Sequence, residues 1–352
     1  MLEARLALEK RGDAPDALFR RKLLLDGTAR RAMDILGKLN VVLFLPEDIA
    51  IVSGSPSKRR RYLDVILCQM DRRYCRSLSR YNRVVSQRNA LLRQMRGRRE
   101  GTAQLDYWDE QLSELGAYVL ARRLWATRDL CPRADRVQKD LTGGRESLAL
   151  AYQCTVEVIS GDRPEPGETS GARPEGEQIN RLRDAFAMCL HQRRPEELAR
   201  GVTIMGPHRD DLRFLLRPAS AEETMQDIAS ARAVDGVSEA GIDATIFGSR
   251  GQQRTIALAL KLAEVELLHT ATGKTPILLL DDMLSELDRN RSHYLLQALT
   301  GVEQALITTT DLGYFTPHFL EASDVVQWRH RQISLATRPH GASRSHRQQR
   351  EA

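Results

Sequence analysis

No stretch of the 352 residues approaches the roughly 20 consecutive apolar positions that a bilayer-spanning helix needs. An integral helical membrane protein is therefore excluded. The opening residues, Met-Leu-Glu-Ala-Arg-Leu-Ala-Leu-Glu-Lys-Arg, mix charge throughout and lack the apolar centre of a secretory leader. Cysteine is sparse: Cys68, Cys75, Cys131, Cys154 and Cys189 are odd in number and include no C-x-x-C pair. Neither a disulfide framework nor a zinc cluster is expected, and a reducing cytoplasm is the expected compartment. Glycine (23) and proline (13) are too few for a collagen-like chain, and 41% hydrophobic with 28% charged residues is too apolar for a disordered one. Length and composition instead allow about two globular domains.

What is abundant is clustered positive charge. The formal net charge is only +6, yet between Asp71 and Arg99 ten arginines face one acid, and six arginines lie between Arg329 and Ala352 against Glu351 alone. Such clusters attract polyanions, nucleic acid above all, because neutralising phosphates releases counterions. A solvated basic face is the plainer alternative.

Periodicity divides the chain. Phe19–Leu25 reads as a strand, Asp26-Gly27 as a turn, Ala32–Leu36 as a helical patch and Val41–Leu45 as a strand. From about Ser57 the pattern turns helical. Tyr74, Leu78, Tyr81, Val85, Arg88, Leu92 and Met95 form a heptad-like seam with Arg88 as its polar exception, and Trp108, Leu112, Leu115 and Val119 repeat the spacing beyond an Arg-rich loop at Gly97–Gly101. These predict an antiparallel helical hairpin whose basic first helix faces Asp106, Asp109, Glu110 and Glu114 on the second. Pro132 and Gly143-Gly144 punctuate the return. A strand at Leu148–Val158, a surface loop at Gly161–Gly176, a helix near Ile179–Gln192 and a strand near Val202–Met205 follow. The last third alternates helix Arg254–Leu268, strand Ile277–Leu280, helix Leu287–Leu299 and strand Ala305–Thr308, the rhythm of a mainly parallel sheet.

Two segments carry chemistry. Ile277–Leu280 is an apolar strand ending in Asp281-Asp282, the position at which α/β proteins place an acid for Mg²⁺ beside bound phosphates. Asp288, in Ser285-Glu286-Leu287-Asp288, opens the next helix, where an acid is also simply a good N-terminal residue. Upstream, Gly248-Ser249-Arg250-Gly251-Gln252-Gln253-Arg254 precedes a long apolar helix, so that its unpaired N–H groups and the Ser249 hydroxyl could meet an anion or merely cap the helix.

In combination, these segments resemble the ABC-type ATPases: Ser249–Gln253 their signature loop, Asp281-Asp282 the Walker B pair, Ser285–Asp288 the D-loop, and Thr308-Thr309-Thr310-Asp311 the switch region. Gly206-Pro207-His208-Arg209-Asp210-Asp211-Leu212, Phe44-x-Pro46-Glu47-Asp48, Gly54-x-Pro56, Arg60-Arg61-x-Leu63-Asp64 and Gln87-Arg88-Asn89-x-Leu91-Leu92 narrow the resemblance to the RecF DNA replication and repair family, related to the SMC proteins. It runs from about Arg20 to Ile333.

The resemblance implies an α/β ABC-type ATPase head with an inserted helical arm: residues 1–56 the remainder of the N-terminal lobe, 57–145 the arm, 146–336 the C-terminal lobe and 337–352 a disordered basic tail. It implies dimerisation around ATP, with Ser249, Arg250, Gly251 and Gln252 meeting the nucleotide of the other subunit and Asp288 and Thr310 also close to it. Asp281 would serve Mg²⁺ and Asp282 would be the catalytic carboxylate, where many ABC proteins carry Glu; Thr310 stands where many carry a switch His. The family is a slow DNA-stimulated ATPase that acts at single-stranded or gapped DNA with RecO and RecR, helps load RecA and supports the SOS response. DNA contacts are expected from Arg59, Arg60, Arg61, Arg72, Arg73, Arg76, Arg80 and Arg83. For His208, Arg209, Asp210 and Asp211 a strand-end turn and a role near DNA or nucleotide both remain open. An ABC transporter is disfavoured, since the family-specific blocks fit RecF; a non-enzymatic DNA-binding adaptor is the alternative.

One element is absent: the sequence contains no G-x-x-x-x-G-K-[ST]. Thr272-Gly273-Lys274-Thr275 fails, having Leu268 where the first glycine belongs and preceding the Asp281 strand; a helix-to-strand turn is expected there. In the family that phosphate loop lies upstream of every motif matched, which implies a late start at an internal Met. The missing strand is expected to pair beside the Asp281 strand, leaving apolar sheet edge and face exposed. Because the loop's N–H groups and lysine supply most of the grip on β/γ phosphates, these 352 residues alone are expected to bind ATP weakly or not at all and to hydrolyse none. A nucleotide titration of this chain against one extended upstream checks this; micromolar affinity in the short form would overturn it.

Overall fold

The computed structural model describes residues 2–10, 17–96, 103–156, 176–218, 237–238, 241–329 and 332–335. The Gly97–Gly101 loop, most of the Gly161–Gly176 loop and the tail from 337 lie outside the described residues.

A meander opens the fold, with β1 (Leu2–Lys10), β2 (Ala17–Leu25) and β3 (Thr28–Arg30) pairing antiparallel in that order. Asp26 and Gly27 form its second turn with φ of 50° and 74°, the left-handed pair that a two-residue hairpin requires. A short helix α1 (Ala32–Ile35) leads to β4 (Val41–Phe44), a single 3-10 turn over Pro46–Asp48 and α2 (Ile49–Ser53).

The helical part consists of α3 (Pro56–Met70), α4 (Arg72–Met95) and the 40-residue α5 (Ala103–Thr142). The heptad seam of α4 is real: Tyr74, Tyr81, Arg88, Leu92 and Met95 are buried. Pro132 does not end α5 as expected. The helix runs on past it, and the Arg133 guanidinium donates to the Asp129 carbonyl at 2.6 Å. Helix α6 (Gly176–Arg200), which the sequence assigns to the C-terminal lobe, packs on the arm helices instead, with Leu182, Phe186, Cys189 and Leu190 against Tyr81, Leu112 and Leu120.

Two sheets complete the molecule. Strands β5 (Glu146–Gln153), β6 (Asp211–Pro218), β7 (Val237–Ser238) and β8 (Gly241–Asp243) form an antiparallel sheet in the order β5-β6-β8-β7. After helix α7 (Arg250–Thr272), β9 (Ile277–Asp281), α8 (Arg289–Leu299) and β10 (Ala305–Thr308) build a parallel sheet ordered β10-β9-β4. A short helix α9 (Pro317–Glu321) and the β11 (Val326–Arg329)–β12 (Gln332–Leu335) hairpin follow. Gly273, at φ 66°, caps α7 through its N–H to the His269 carbonyl, so Thr272–Thr275 is the helix-to-strand turn the sequence implies. The expected strand at Val202–Met205 does not form. Side chains hold that backbone in place of a ladder: Thr203 N–H donates to Asn89 Oδ1 (2.7 Å) and Ile204 N–H to Glu197 Oε1 (2.9 Å).

One core runs from the inner face of the parallel sheet (Val42, Phe44, Leu278, Leu280) through α7 to the inner face of the antiparallel sheet (Leu148, Leu150, Leu212, Phe214). Every residue is buried from Thr255 to Glu264 in α7 and from Val119 to Thr127 in α5, as befits helices enclosed on all sides. The other face of the parallel sheet carries the row Leu43–Leu279–Leu306, with Leu43 42% and Leu306 53% exposed. An exposed apolar face is thus present, but the expected vacancy beside the Asp281 strand is not. β4 and β10 occupy both flanks of β9, and among the described residues the inner sheet's open edges belong to β10 and β4.

Arg88 fixes the arm. Fully buried, it donates from Nε to Asp109 (2.7 Å), from Nη2 to Glu197 (2.6 Å) and from Nη1 to Thr203 Oγ1 (2.9 Å), joining α4, α5 and α6. Burial pushes the Glu197 carboxyl above its ordinary range, against the pull of Arg88. Removing one partner strands buried charge, so Arg88→Ala is expected to destabilise the protein by about 3–5 kcal/mol. Urea denaturation checks this, with Arg83→Ala on the exposed face as the near-neutral control; an Arg88→Ala loss below about 1 kcal/mol would mean the network is dispensable.

Candidate functional site

The serine-glycine turn is a helix N-terminus built in full. Ser249 is the N-cap of α7: Gln252 N–H donates to its Oγ (3.2 Å), and Ser249 N–H donates back to Gln252 Oε1 (2.9 Å), a capping box. Gln252 also donates from Nε2 to Glu146 Oε1 at 2.8 Å. Its amide is thus committed to the protein on both sides and is not presented to a phosphate. Ser249, Arg250 and Gly251 are exposed, and a Cβ at Gly251 would meet Ser249 Oγ at 3.9 Å, an ordinary contact.

Asp281 ends β9, and Thr308, its register partner on β10, donates its hydroxyl to Asp281 Oδ1 at 2.6 Å. Asp282 N–H donates to both the carbonyl and the hydroxyl oxygen of Thr308 (3.2 Å each). Asp282 has φ 46° and ψ 28°, a left-handed backbone that costs a non-glycine residue about 1–3 kcal/mol. Its Oδ1 is buried with no hydrogen-bond partner. A strained carboxylate with an orphaned oxygen beside a second carboxylate suits a hard divalent cation or a polarised water. Among the described residues no three acidic, His or Cys side chains converge as a metal cage. Mg²⁺ here would therefore take its remaining ligands from phosphate oxygens and water. Asp288 is the N-cap of α8, accepting from Arg291 N–H at 3.0 Å; Thr310 is exposed, at the mouth of the loop beyond β10.

The start of α7 reaches the D-loop. Arg254, in the first turn of α7, forms an ion pair with Glu286 of the D-loop, and residues of α7, Leu45–Ile49 and Met283–Leu287 line one small groove. In the sequence Arg254 and Glu286 have no role of their own, and the resemblance points to Thr310 in preference to Thr308. Only the register of β9 with β10 singles out Thr308.

His208–Asp211 form a hub joining arm to head. Asp211 takes a bidentate pair from Arg59 (2.6 and 2.9 Å); buried Asp210 accepts from Thr155 N–H and hydroxyl (2.8 and 2.7 Å) and from Tyr152 (3.0 Å). Arg123, itself paired with Asp64, donates to the Pro207 carbonyl at 2.5 Å. Gly206 (φ 111°) admits no other residue, since a Cβ would sit 2.5 Å from Tyr81 Oη. Arg209 is exposed and donates to the Thr203 carbonyl at 3.2 Å. The turn alternative thus describes this motif's geometry.

The arginines separate by exposure. Arg59 is 4% exposed and committed to Asp211, so the expectation of a DNA contact fails for it. Arg60 is half-buried and donates to the Asp210 carbonyl (2.7 Å), whereas Arg61 is exposed. Arg72, Arg73, Arg76, Arg80 and Arg83 are all exposed; Arg72 also holds the Leu36 carbonyl (2.8 Å), and Arg73 stacks over Tyr118 at 4.4 Å.

His208 makes the fold pH-sensitive. It lies 2.7 Å from Tyr81 Oη, and burial pushes its pKa down to about 4. The folded value is below the unfolded ~6.5, so acidification protonates the unfolded chain first. This stability is present above pH ~6.5 and is lost as the pH falls towards ~4, at up to about 1.4 kcal/mol per unit. His208→Gln is expected to flatten that slope in denaturation measured across this window; an identical slope in the variant would contradict the assignment.

Comparison with known proteins adds kinship. No protein-family model matches the chain. Proteins named DNA replication and repair protein RecF match it in Herpetosiphon aurantiacus (43% identity, 83% of this chain, 65% of the relative) and Chloroflexus aggregans (41%, 85% and 68%). The chain spans about two thirds of the length of these curated relatives. A solved structure of the recombination mediator protein RecF-ATPrS in the RecFOR pathway matches with TM-score 0.71 and 26% identity over 95% of this chain and 76% of that one. A RecF-ATP structure of the same pathway matches with TM-score 0.66 and 30% identity over 84% and 68%. The fold is that of an ABC-type ATPase head with helical arm, and the chain belongs to the RecF DNA replication and repair protein family.

Proposed function

We propose that this chain acts in DNA replication and recombinational repair, binding single-stranded or gapped DNA through its arm. The observation that carries the reading is a stripe on α4. Arg72, Arg76, Arg80 and Arg83 recur at steps of four, four and three, all exposed, on a helix that contains no acidic residue. At about 1.5 Å rise per residue the stripe extends about 16 Å, enough to follow several phosphates.

The nucleotide reading rests on the exposed serine-glycine turn and on the Asp281-Asp282 strand end. ATP, with Mg²⁺ at Asp281 and Asp282 as the catalytic carboxylate, would join two copies, the Ser249–Gly251 turn of one facing the triphosphate held by the other. Gln252 supports that turn from behind, Asp288 anchors the D-loop, and Thr308 orients Asp281. The chain would work in the cytoplasm with RecO and RecR, aiding RecA loading and the SOS response. A second reading, a DNA-binding adaptor without turnover, is favoured by the absence of a phosphate-loop pattern from these 352 residues.

The test is charge reversal. Arg76→Glu with Arg80→Glu is expected to weaken DNA binding and to lower the slope of log affinity against log salt by about 0.7–0.9 for each phosphate no longer neutralised. Affinity and slope unchanged across a salt titration would remove the stripe from the interface.

A further inference from the structure

The carboxylate of Glu146, the first residue of β5, bridges two amides. Oε1 accepts from Gln252 Nε2 of the serine-glycine turn (2.8 Å), and Oε2 accepts from the fully buried Gln138 of α5 (3.0 Å). Its own N–H donates to Thr142 Oγ1 of α5 at 3.2 Å. Gln252 in turn shares the capping box that shapes Ser249–Gln252.

The α5 segment beyond Pro132 is fastened to the ATPase elements in other places too. Arg136 pairs with Glu266 of α7, Asp140 accepts from Tyr294 of α8 (2.9 Å), and Asp135 accepts from Ser147 Oγ (2.7 Å) and Leu148 N–H (2.8 Å) of β5. Of these contacts, only the one through Glu146 reaches the serine-glycine turn itself. The same helix packs along α4, which bears the arginine stripe.

We propose that Glu146 is a positioning residue for the signature loop, and that through Gln138–Glu146–Gln252 the pose of the arm helix sets the pose of that loop. DNA on the arm and nucleotide at the loop are then linked, and each biases the other. The linkage rests on the arm reading above; the positioning of the loop does not.

A methionine side chain at position 146 accepts from neither neighbour, whereas a glutamine keeps both bonds by turning the Gln138 amide, whose Oε1 is buried without a partner. Hydrogen exchange at the Ser249 and Gln252 amides reads the consequence. Glu146→Met is expected to speed exchange about fivefold, the change in local opening that loss of a helix cap produces. Glu146→Gln combined with Gln252→Glu keeps the Ser249 and 146–252 bonds with the polarity of the latter reversed. The carboxylate then standing at position 252 can accept both from Ser249 N–H and from the amide at position 146, and wild-type exchange is expected. Exchange within twofold of wild type in Glu146→Met, or exchange faster than wild type in the double variant, would overturn the positioning role.

With single-stranded or gapped DNA bound, wild-type exchange at these amides should shift, and Gln138→Met, which leaves the Gln252 contact alone, should abolish the shift. A bound DNA that leaves exchange unaltered, or a shift that survives in Gln138→Met, would overturn the linkage. Failure of DNA to bind the wild type would refute the arm reading and with it the linkage, while exchange in the free proteins still decides the role of Glu146.

Discussion

The guanidinium groups of Arg59, Arg88 and Arg123 are among those shut away from water, and a charge so placed has to be matched within the protein. Each finds carboxylates: Arg59 takes Asp211, Arg88 takes Asp109 and Glu197, and Arg123 takes Asp64. The partners lie far apart in sequence and on different elements, so satisfying them fixes how α3, α4, α5 and α6 meet the start of β6. Apolar packing alone is tolerant of small slides between helices. A bidentate arginine pair is not, because its two hydrogen bonds fail together when the fork is displaced. The position of the arm relative to the sheets thus depends on where these charges are buried.

The strand end shows the opposite economy. There the chain holds a carboxylate on strained backbone with an oxygen unsatisfied, next to a second carboxylate oriented by one threonine hydroxyl. Unpaired groups of this kind are rare in a well-formed core unless a ligand completes them. The contrast between the satisfied His208–Asp211 hub and the unsatisfied Asp281–Asp282 end separates two motifs that look equally polar in sequence. The first joins layers; the second sets the exposed Asp281 beside a buried, unpaired oxygen of Asp282.

Much of this was legible in the residues. The strand Ile277–Asp281, the turn at Asp26-Gly27, the seam of α4 and the cap at Ser249 follow from local periodicity and turn chemistry, and each forms. Arg88 stood out as the polar member of an apolar seam, although its acids could not be named, since Asp109 and Glu197 reach it only through helix packing. What escaped was non-local. Exposure divides Arg59 from Arg61 two residues away, and register promotes Thr308 over Thr310. Pro132 signals a break, yet the helix continues through it to Thr142. Where a residue's partner is set by strand order or helix crossing, the linear sequence supplies the candidate and the fold supplies the choice.

Helix α5 connects the buried charges of the arm to the head. Buried on all sides along its middle, it cannot rotate or translate without disturbing either core, since close-packed interiors transmit displacement instead of absorbing it. Its last turns end in polar contacts to α7, α8, β5 and, through Glu146, the serine-glycine turn. Its first turns reach the basic helix through Asp109 and Arg88. A rigid element anchored at both ends by directional bonds is a suitable lever. Its second half also enters the head's core, where Trp125, Leu130, Ala134 and Val137 pack.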